Sequence, residues 1–183
     1  DGQELRAIRD DGVRIPGGVE GIGELLEAVK DLKQEFPQLQ LYLGGVWVEE
    51  ELKKKAEECG EFVHYLGWVD AGKKDEYLRQ CNIFVLPTYF EGLPMSLLEG
   101  MAYGCACVAC EVGGIPQVMT DRKEGLLIPA KKVQDLKDAF RDLLQNPELQ
   151  KELGVNARKR VRDNYEISKS VQRLVEIYQE LCR

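Results

Sequence analysis

The sequence predicts an α/β fold, a Rossmann-like, doubly wound parallel sheet flanked by helices, and three features predict it. From about residue 21 onward, short apolar runs alternate with segments of helical periodicity. Several of those runs are apolar at nearly every position, as strands covered on both faces are. Gly or Pro closes most of them (Gly44-Gly45, Gly67, Pro87, and Gly113-Gly114 a few residues on), and in such sheets the carboxyl ends of the strands are where ligands bind.

Residues 1–20 offer two candidates for a first strand, 5–8 and 13–15, both interrupted nearby by charges and glycines. Residues 21–36 carry Ile22, Leu25, Leu26, Val29, Leu32 and Phe36 on one helical side, and Pro37 stops the pattern. LQLYL at 39–43 reads as a strand, 49–59 as a charged surface helix, and FVHYL at 62–66 as the next strand. A helix over 74–81 leads to IFVL at 83–86. The helix over 94–103 has Pro94 in its first turn and Gly104 just past its end. A strand at 106–109, a short helix at 115–119 and a last strand at 125–128 complete the sheet. Three helices follow, at about 133–145, 147–163 and 166–182. No repeat or low-complexity linker divides residues 1–183, so one domain is expected.

The composition narrows the function. Apolar residues are 44% and charged residues 31% of the chain, as in globular domains. A net charge of −7 argues against nucleic acid as a partner, because phosphate binding needs a surplus of Lys and Arg. No apolar run is long enough to span a bilayer, and the start DGQE has no signal-peptide character. A cytoplasmic location is the expectation, compatible with a parent protein that associates peripherally with a membrane. The chain does not begin with Met, which suggests a piece of a longer protein.

Three of the six cysteines crowd into GCACVAC at 104–110. A metal site would need further well-spaced ligands, and His64 is the sole histidine. Small residues filling a buried strand explain the segment better, and no metal is expected. Free thiols fit a reducing compartment.

The segment TYFEGLPMSLLEGMA at 88–102 carries the chemistry. It follows a buried strand and opens a helix near Pro94. The first backbone amides of that helix, at Met95 and Ser96, have no partner inside it and face the carboxyl edge of the sheet. The helix dipole adds positive potential there, which suits a phosphate. Gly92 allows close approach of a ligand to the backbone. Glu91 lies before the helix and Glu99 inside it, and a carboxylate accepts two hydrogen bonds side by side, as the vicinal hydroxyls of a ribose or hexose require. Two glutamates at this spacing are common by chance, so the pair alone is weak evidence.

The surroundings make it strong. Glu91 and Glu99 match the E-x7-E motif of retaining GT-B glycosyltransferases (the glycosyl transferases group 1 family). NIFVLPT at 82–88 resembles that family's preceding strand, and MAYG at 101–104 its "EAMACG" helix end, with Gly100 where Ala is usual. EVGGIPQ at 111–117 resembles "VGGIPE", with Gln117 replacing Glu, and EGLLIP at 124–129 resembles "TGLLVP". VHYLGWV at 63–69 resembles "VRFLGFV". The resemblance implies one half of a GT-B fold with extra C-terminal helices. It implies a nucleoside diphosphate sugar, UDP- or GDP-linked, as substrate, with no resident cofactor or metal. By the same resemblance Glu91 contacts the donor sugar at the catalytic centre, Glu99 holds the ribose, and the backbone at Gly92, Leu93 and Met95 approaches the sugar and phosphates. The strand end at Leu66-Gly67-Trp68 lines the base. An N-terminal acceptor domain of a parent protein is the implied partner. The last helix, apolar through Ile167, Val171, Leu174, Val175, Tyr178 and Leu181, packs either on its own domain or on that absent one.

The sequence departs from the family at the diphosphate clamp. The family has Gly-Arg and then Lys before the helix equivalent to 21–36; here GVRIPGGVEGI at 12–22 offers Arg14, out of register, and Glu20 in the Lys position. A non-catalytic nucleotide-sugar-binding module is therefore the competing reading. A nicotinamide-dependent dehydrogenase is disfavoured, because Gly18, Gly21 and Gly23 reverse the G-x-G-x-x-G spacing.

Overall fold

The computed structural model describes residues 4–8, 21–45 and 50–182. Six strands, β1 (Glu4–Ile8), β2 (Gln40–Gly44), β3 (Val63–Gly67), β4 (Ile83–Leu86), β5 (Ala106–Cys110) and β6 (Gly125–Ile128), form one sheet. All the pairings are parallel, in the order β3-β2-β1-β4-β5-β6. Among the described residues eight helices accompany them: α1 (Ile22–Glu35), α2 (Glu50–Cys59), α3 (Ala71–Arg79), α4 (Met95–Tyr103), α5 (Ile115–Val118), α6 (Val133–Gln145), α7 (Pro147–Asn164) and α8 (Ile167–Leu181). The sheet order reverses direction between β1 and β4, the switch point at which doubly wound sheets open a crevice.

Burial on both faces explains the continuous apolar strands. Ile83 and Val85 join Ala106, Val108 and Cys110 in one core, with Leu25, Val29 and Leu32 of α1 and Phe140 of α6. Phe84 and Leu86 join Cys107 and Ala109 in a second core on the opposite face, with Leu97 and Met101 of α4 and Ala157 of α7. The cysteine segment is thus a buried strand in which successive side chains serve opposite faces. All six cysteines are free thiols. Burial raises the Cys107 thiol well above its usual value and pushes Cys110 up to about 11. Among the described residues no group of three His, Cys, Asp or Glu side chains gathers to hold a metal ion, and no helix is long and apolar enough to cross a membrane.

The element bounds differ from the sequence expectation where the signals are polar. The first strand is the 5–8 candidate, extended to Glu4; the alternative at 13–15 lies outside the described residues. Helix α3 starts at Ala71 rather than Lys74, because Asp70 caps it, its carboxylate accepting the Lys73 amide at 3.0 Å. Its first turn has no large apolar residue to reveal it. Pro94 is the cap residue of α4 and not part of its first turn. Gly104 ends that helix in the left-handed conformation, φ 79°, and a methyl on Gly154 of α7 would stand 2.1 Å from its carbonyl oxygen. Helix α8 buries none of its residues, and Ile167 is 79% exposed. Its apolar face is exposed along the helix, through Val171, Leu174, Val175, Tyr178 and Leu181.

Gly100, where the resembled family has Ala, has a steric cause. A methyl there would stand 2.6 Å from the ring of Phe84, which is fully buried beneath α4. The large side chain on the strand and the missing one on the helix compensate each other. Gly100→Ala gains up to about 1 kcal/mol of helix propensity but overpacks the core at a cost of about 1–3 kcal/mol. The expected net result in urea unfolding is destabilisation, with Gly100→Ala/Phe84→Leu more stable than Gly100→Ala alone. A stabilised single variant would contradict this packing.

Candidate functional site

The loops that leave β4 and β5 are laced together at the backbone. Glu91 is half-buried in the loop between β4 and α4, and its carbonyl accepts the Gly114 amide at 3.0 Å. A methyl on Gly113 would stand 1.8 Å from that same carbonyl oxygen, and one on Gly114 would stand 2.0 Å from the Gly92 carbonyl oxygen. Gly113 also has φ 53°, in the left-handed region. The paired glycines therefore let two loops touch, and the contact sets the path of the chain through Glu91 and Gly92. Within the first loop the Thr88 hydroxyl donates to the Phe90 carbonyl at 2.8 Å.

Gly92, Leu93 and Met95 are exposed along the lip of this loop. The Met95 amide is turned back onto the Leu93 carbonyl at 2.9 Å, which modifies the sequence expectation that it faces the carboxyl edge of the sheet without a partner. Helical bonding begins with the Leu98 amide on the Pro94 carbonyl at 3.0 Å. The amides of Ser96 and Leu97 are thus the ones that α4 itself does not engage.

Glu99 stands one turn further along α4, and its Oε1 accepts from the Lys74 ammonium at 2.9 Å. The pair joins α4 to α3 and is partly withdrawn from water, with side-chain exposures of 14% for Lys74 and 31% for Glu99. A second polar cluster joins the same helices: the Tyr103 hydroxyl donates to Asp75, which also pairs with Arg79. Arg79 first, then Tyr103, holds the Asp75 carboxyl below its ordinary value, and the same bond to Asp75 raises Tyr103.

Gly67 ends β3 with φ 66°, and its carbonyl accepts the Gly45 amide at 2.8 Å. Trp68 beside it is 58% exposed, a large aromatic side chain at the carboxyl edge of the sheet. The Tyr65 hydroxyl donates to the Gly45 carbonyl at 2.8 Å, fixing the neighbouring β2 end.

Helix α1 meets this edge at its first turn. A methyl on Gly21 would stand 1.7 Å from the Pro87 carbonyl oxygen, so the helix start lies directly on the end of β4. The Tyr89 hydroxyl donates to Glu24, and the Lys131 ammonium lies 4.8 Å from the Tyr89 ring centre. Sequence reading missed Lys74, Glu24 and Tyr89; partners so distant in the chain leave no local spacing signal. Arg14 and Glu20 lie outside the described residues.

A groove of about 430 Å³ lies elsewhere, between β6 and α6, lined in part by Asp121, Asp135, Asp138 and Asp142. Its arginines are already engaged, Arg122 by Asp142 at 3.0 Å and Arg141 by Glu35 at 2.7 Å. That charge balance opposes a phosphate ligand.

The model of the glycosyl transferases group 1 family matches residues 18–160. The chain belongs to that family. It is 29% identical over 166 residues to an uncharacterized glycosyltransferase of Methanocaldococcus jannaschii, covering 88% of this chain and 45% of that protein. Sucrose-phosphate synthase from Thermosynechococcus elongatus superposes with a TM-score of 0.84 at 26% identity, over 99% of this chain and 46% of that one. The Anabaena protein HepE, solved in complex with UDP and glucose, shares the fold with a TM-score of 0.84 at 17% identity, over 98% of this chain and 48% of its own. The chain thus spans about half the length of these relatives, and its sheet with flanking helices is one half of a GT-B fold.

Because the loop contact is backbone against backbone, no rotamer change relieves a methyl at Gly114. Gly114→Ala is expected to cost about 1–3 kcal/mol, lowering Tm by roughly 2–4 °C per kcal/mol. Hydrogen exchange of the amides at 91–93 and 114 should quicken selectively. An unchanged Tm together with unchanged exchange would show that the two loops are not locked.

Proposed function

We propose that this chain is the donor-binding half of a retaining glycosyltransferase. The parent reaction moves a hexosyl unit from a UDP- or GDP-linked sugar to an acceptor hydroxyl with the anomeric configuration kept. The observation that carries the reading is the pair Glu91 and Glu99 on one strand–loop–helix unit at the sheet's switch point, with the loop held by Gly113 and Gly114. A diphosphate lies against the loop and the first turn of α4, where the unengaged amides and the helix dipole oppose its charge. The ribose hydroxyls donate to Glu99. The base lies along Gly67 and Trp68, and the sugar reaches Glu91 and the Gly92-Leu93 backbone. Glu91 is not assigned as a nucleophile. The Anabaena structure of the same fold holds UDP and glucose, which supports a nucleotide sugar here.

No resident cofactor or metal is required in this reading; amide dipoles and cationic side chains, Arg14 among them, neutralise the leaving diphosphate. The acceptor site belongs to an N-terminal domain of the parent, against which the exposed face of α8 docks. Transfer needs the acceptor hydroxyl held about 3–3.5 Å from the anomeric carbon in a cleft closed to water, and the opposite domain is the wall of that cleft. Glu20, in the family's Lys position, favours a second reading, a module that binds nucleotide sugar without catalysis. Sugar transfer by the full-length parent, absent in one reading and present in the other, separates them.

Calorimetric titration tests the assignment. Glu99→Ala is expected to weaken UDP and UDP-glucose alike by about tenfold or more, the loss of a charge-assisted hydrogen bond of about 1.5–3 kcal/mol. Glu91→Ala should weaken the sugar nucleotide and leave UDP nearly unchanged. EDTA should leave both titrations unaltered. Equal effects of both variants on both ligands would remove the assigned roles, and binding lost with EDTA would remove the metal-free claim.

In a product assay with one donor and one acceptor, this chain alone is expected to show at most slow donor hydrolysis where the full-length protein transfers sugar. Comparable transfer by both would remove the two-domain account.

A further inference from the structure

Lys74 is a lysine withdrawn from water to meet a carboxylate on a different helix, at 2.9 Å and with 14% side-chain exposure. The chain leading to it is held at Gly67 and at Asp70. Gly67 ends β3, Trp68 and Val69 follow, and Asp70 caps α3 through the Lys73 amide at 3.0 Å and accepts the Lys74 amide on its carbonyl at 2.9 Å. The loop that carries the exposed Trp68 therefore also sets where the Lys74 side chain starts.

The ion pair is not alone in joining α3 to α4. Asp75 already binds Tyr103 across the same two helices, and Leu78 is buried in the core that holds Leu97 and Met101. Lys74 also restrains the Glu99 side chain. A glutamate in the middle of a helix has three rotatable side-chain bonds, and ordering it on binding costs affinity. Lys74 holds Oε1, while Oε2 and its lone pairs stay available to accept from a second donor.

We propose that Lys74 is the positioning residue of the nucleotide site, orienting Glu99 so that its free oxygen accepts the ribose hydroxyls of a nucleoside diphosphate. The inference rests on the proposed donor-binding function and names the residue through which Glu99 acts. Lys74 touches no ligand in this scheme; it removes the ordering cost of the residue that does.

The experiment compares UDP with 2′,3′-dideoxy-UDP by calorimetry on the parent chain, Lys74→Met and Lys74→Arg, with thermal unfolding as a check on folding. The parent should bind UDP more tightly than the dideoxy form. Lys74→Met should lose about 3- to 10-fold in UDP affinity, the cost of ordering one long side chain, and keep its affinity for the dideoxy form. Lys74→Arg, which retains the ion pair, should recover the preference. If Lys74→Met does not fold, Lys74→Gln carries the same comparison. Equal loss toward both nucleotides, no loss toward either, or no recovery with Arg would overturn the positioning role while leaving the site intact. A parent that binds UDP and dideoxy-UDP equally, or neither, would instead refute the ribose assignment of Glu99 itself.

Discussion

The Glu91 carbonyl receives the Gly114 amide at 3.0 Å, across an approach so close that neither Gly113 nor Gly114 has room for a side chain. The rest of the site depends on this contact. Strand β4 brings the chain to the edge of the sheet at the switch point, but a strand end alone does not fix the course of an eight-residue turn into a helix. The β5 loop does so, by giving that turn a rigid backbone surface to lie on. Because both partners are main chain, the geometry does not vary with side-chain rotamers. A residue that must meet a ligand within a few tenths of an ångström benefits from such a support.

The remaining supports act outward from that contact. Gly21 sets the start of α1 on the Pro87 carbonyl, and Tyr89 reaches across to Glu24 in the first turn of that helix. On the other side, α4 lies flat on β4 because Gly100 leaves space for the Phe84 ring. Its far end closes on α7 through Gly104 and Gly154. Helix α3 is then joined to α4 by Asp75 with Tyr103 and by Lys74 with Glu99. Glycines serve where backbones or rings meet, and charged pairs serve where two helices meet partly in water. Both arrangements converge on one edge of the sheet, while the acidic groove beside α6 stands apart from it.

Legibility in the sequence followed the physics of each element. Strands β4 and β6 and helix α6 match their expected bounds, since each is a dense apolar pattern closed by Gly, Pro or polar residues. The start of α3 was not visible, because its signal is a single Asp70 cap before a turn without large apolar residues. Glu91 and Glu99, like the glycine pair, could be singled out from their likeness to family motifs, since their spacing alone is common by chance. What the glycines do, and that Lys74 meets Glu99, could not be read, because those contacts join residues about twenty or more positions apart through the tertiary fold. Arg14 and Glu20, on which the diphosphate clamp turns, lie outside the described residues and add nothing to the geometry.

In the proposed function one edge of this sheet, and not the β6–α6 groove, receives a nucleoside diphosphate. Amide and indole N–H resonances of the isotope-labelled chain, followed by NMR during titration with UDP, test it directly. The expected shifts saturate together at Gly67, the Trp68 indole, Gly92, Ser96, Leu97, Glu99, Gly113 and Gly114, with the β6–α6 groove unmoved. Shifts concentrated at Asp121, Arg122 and Asp138, or no shifts at millimolar UDP, would contradict it.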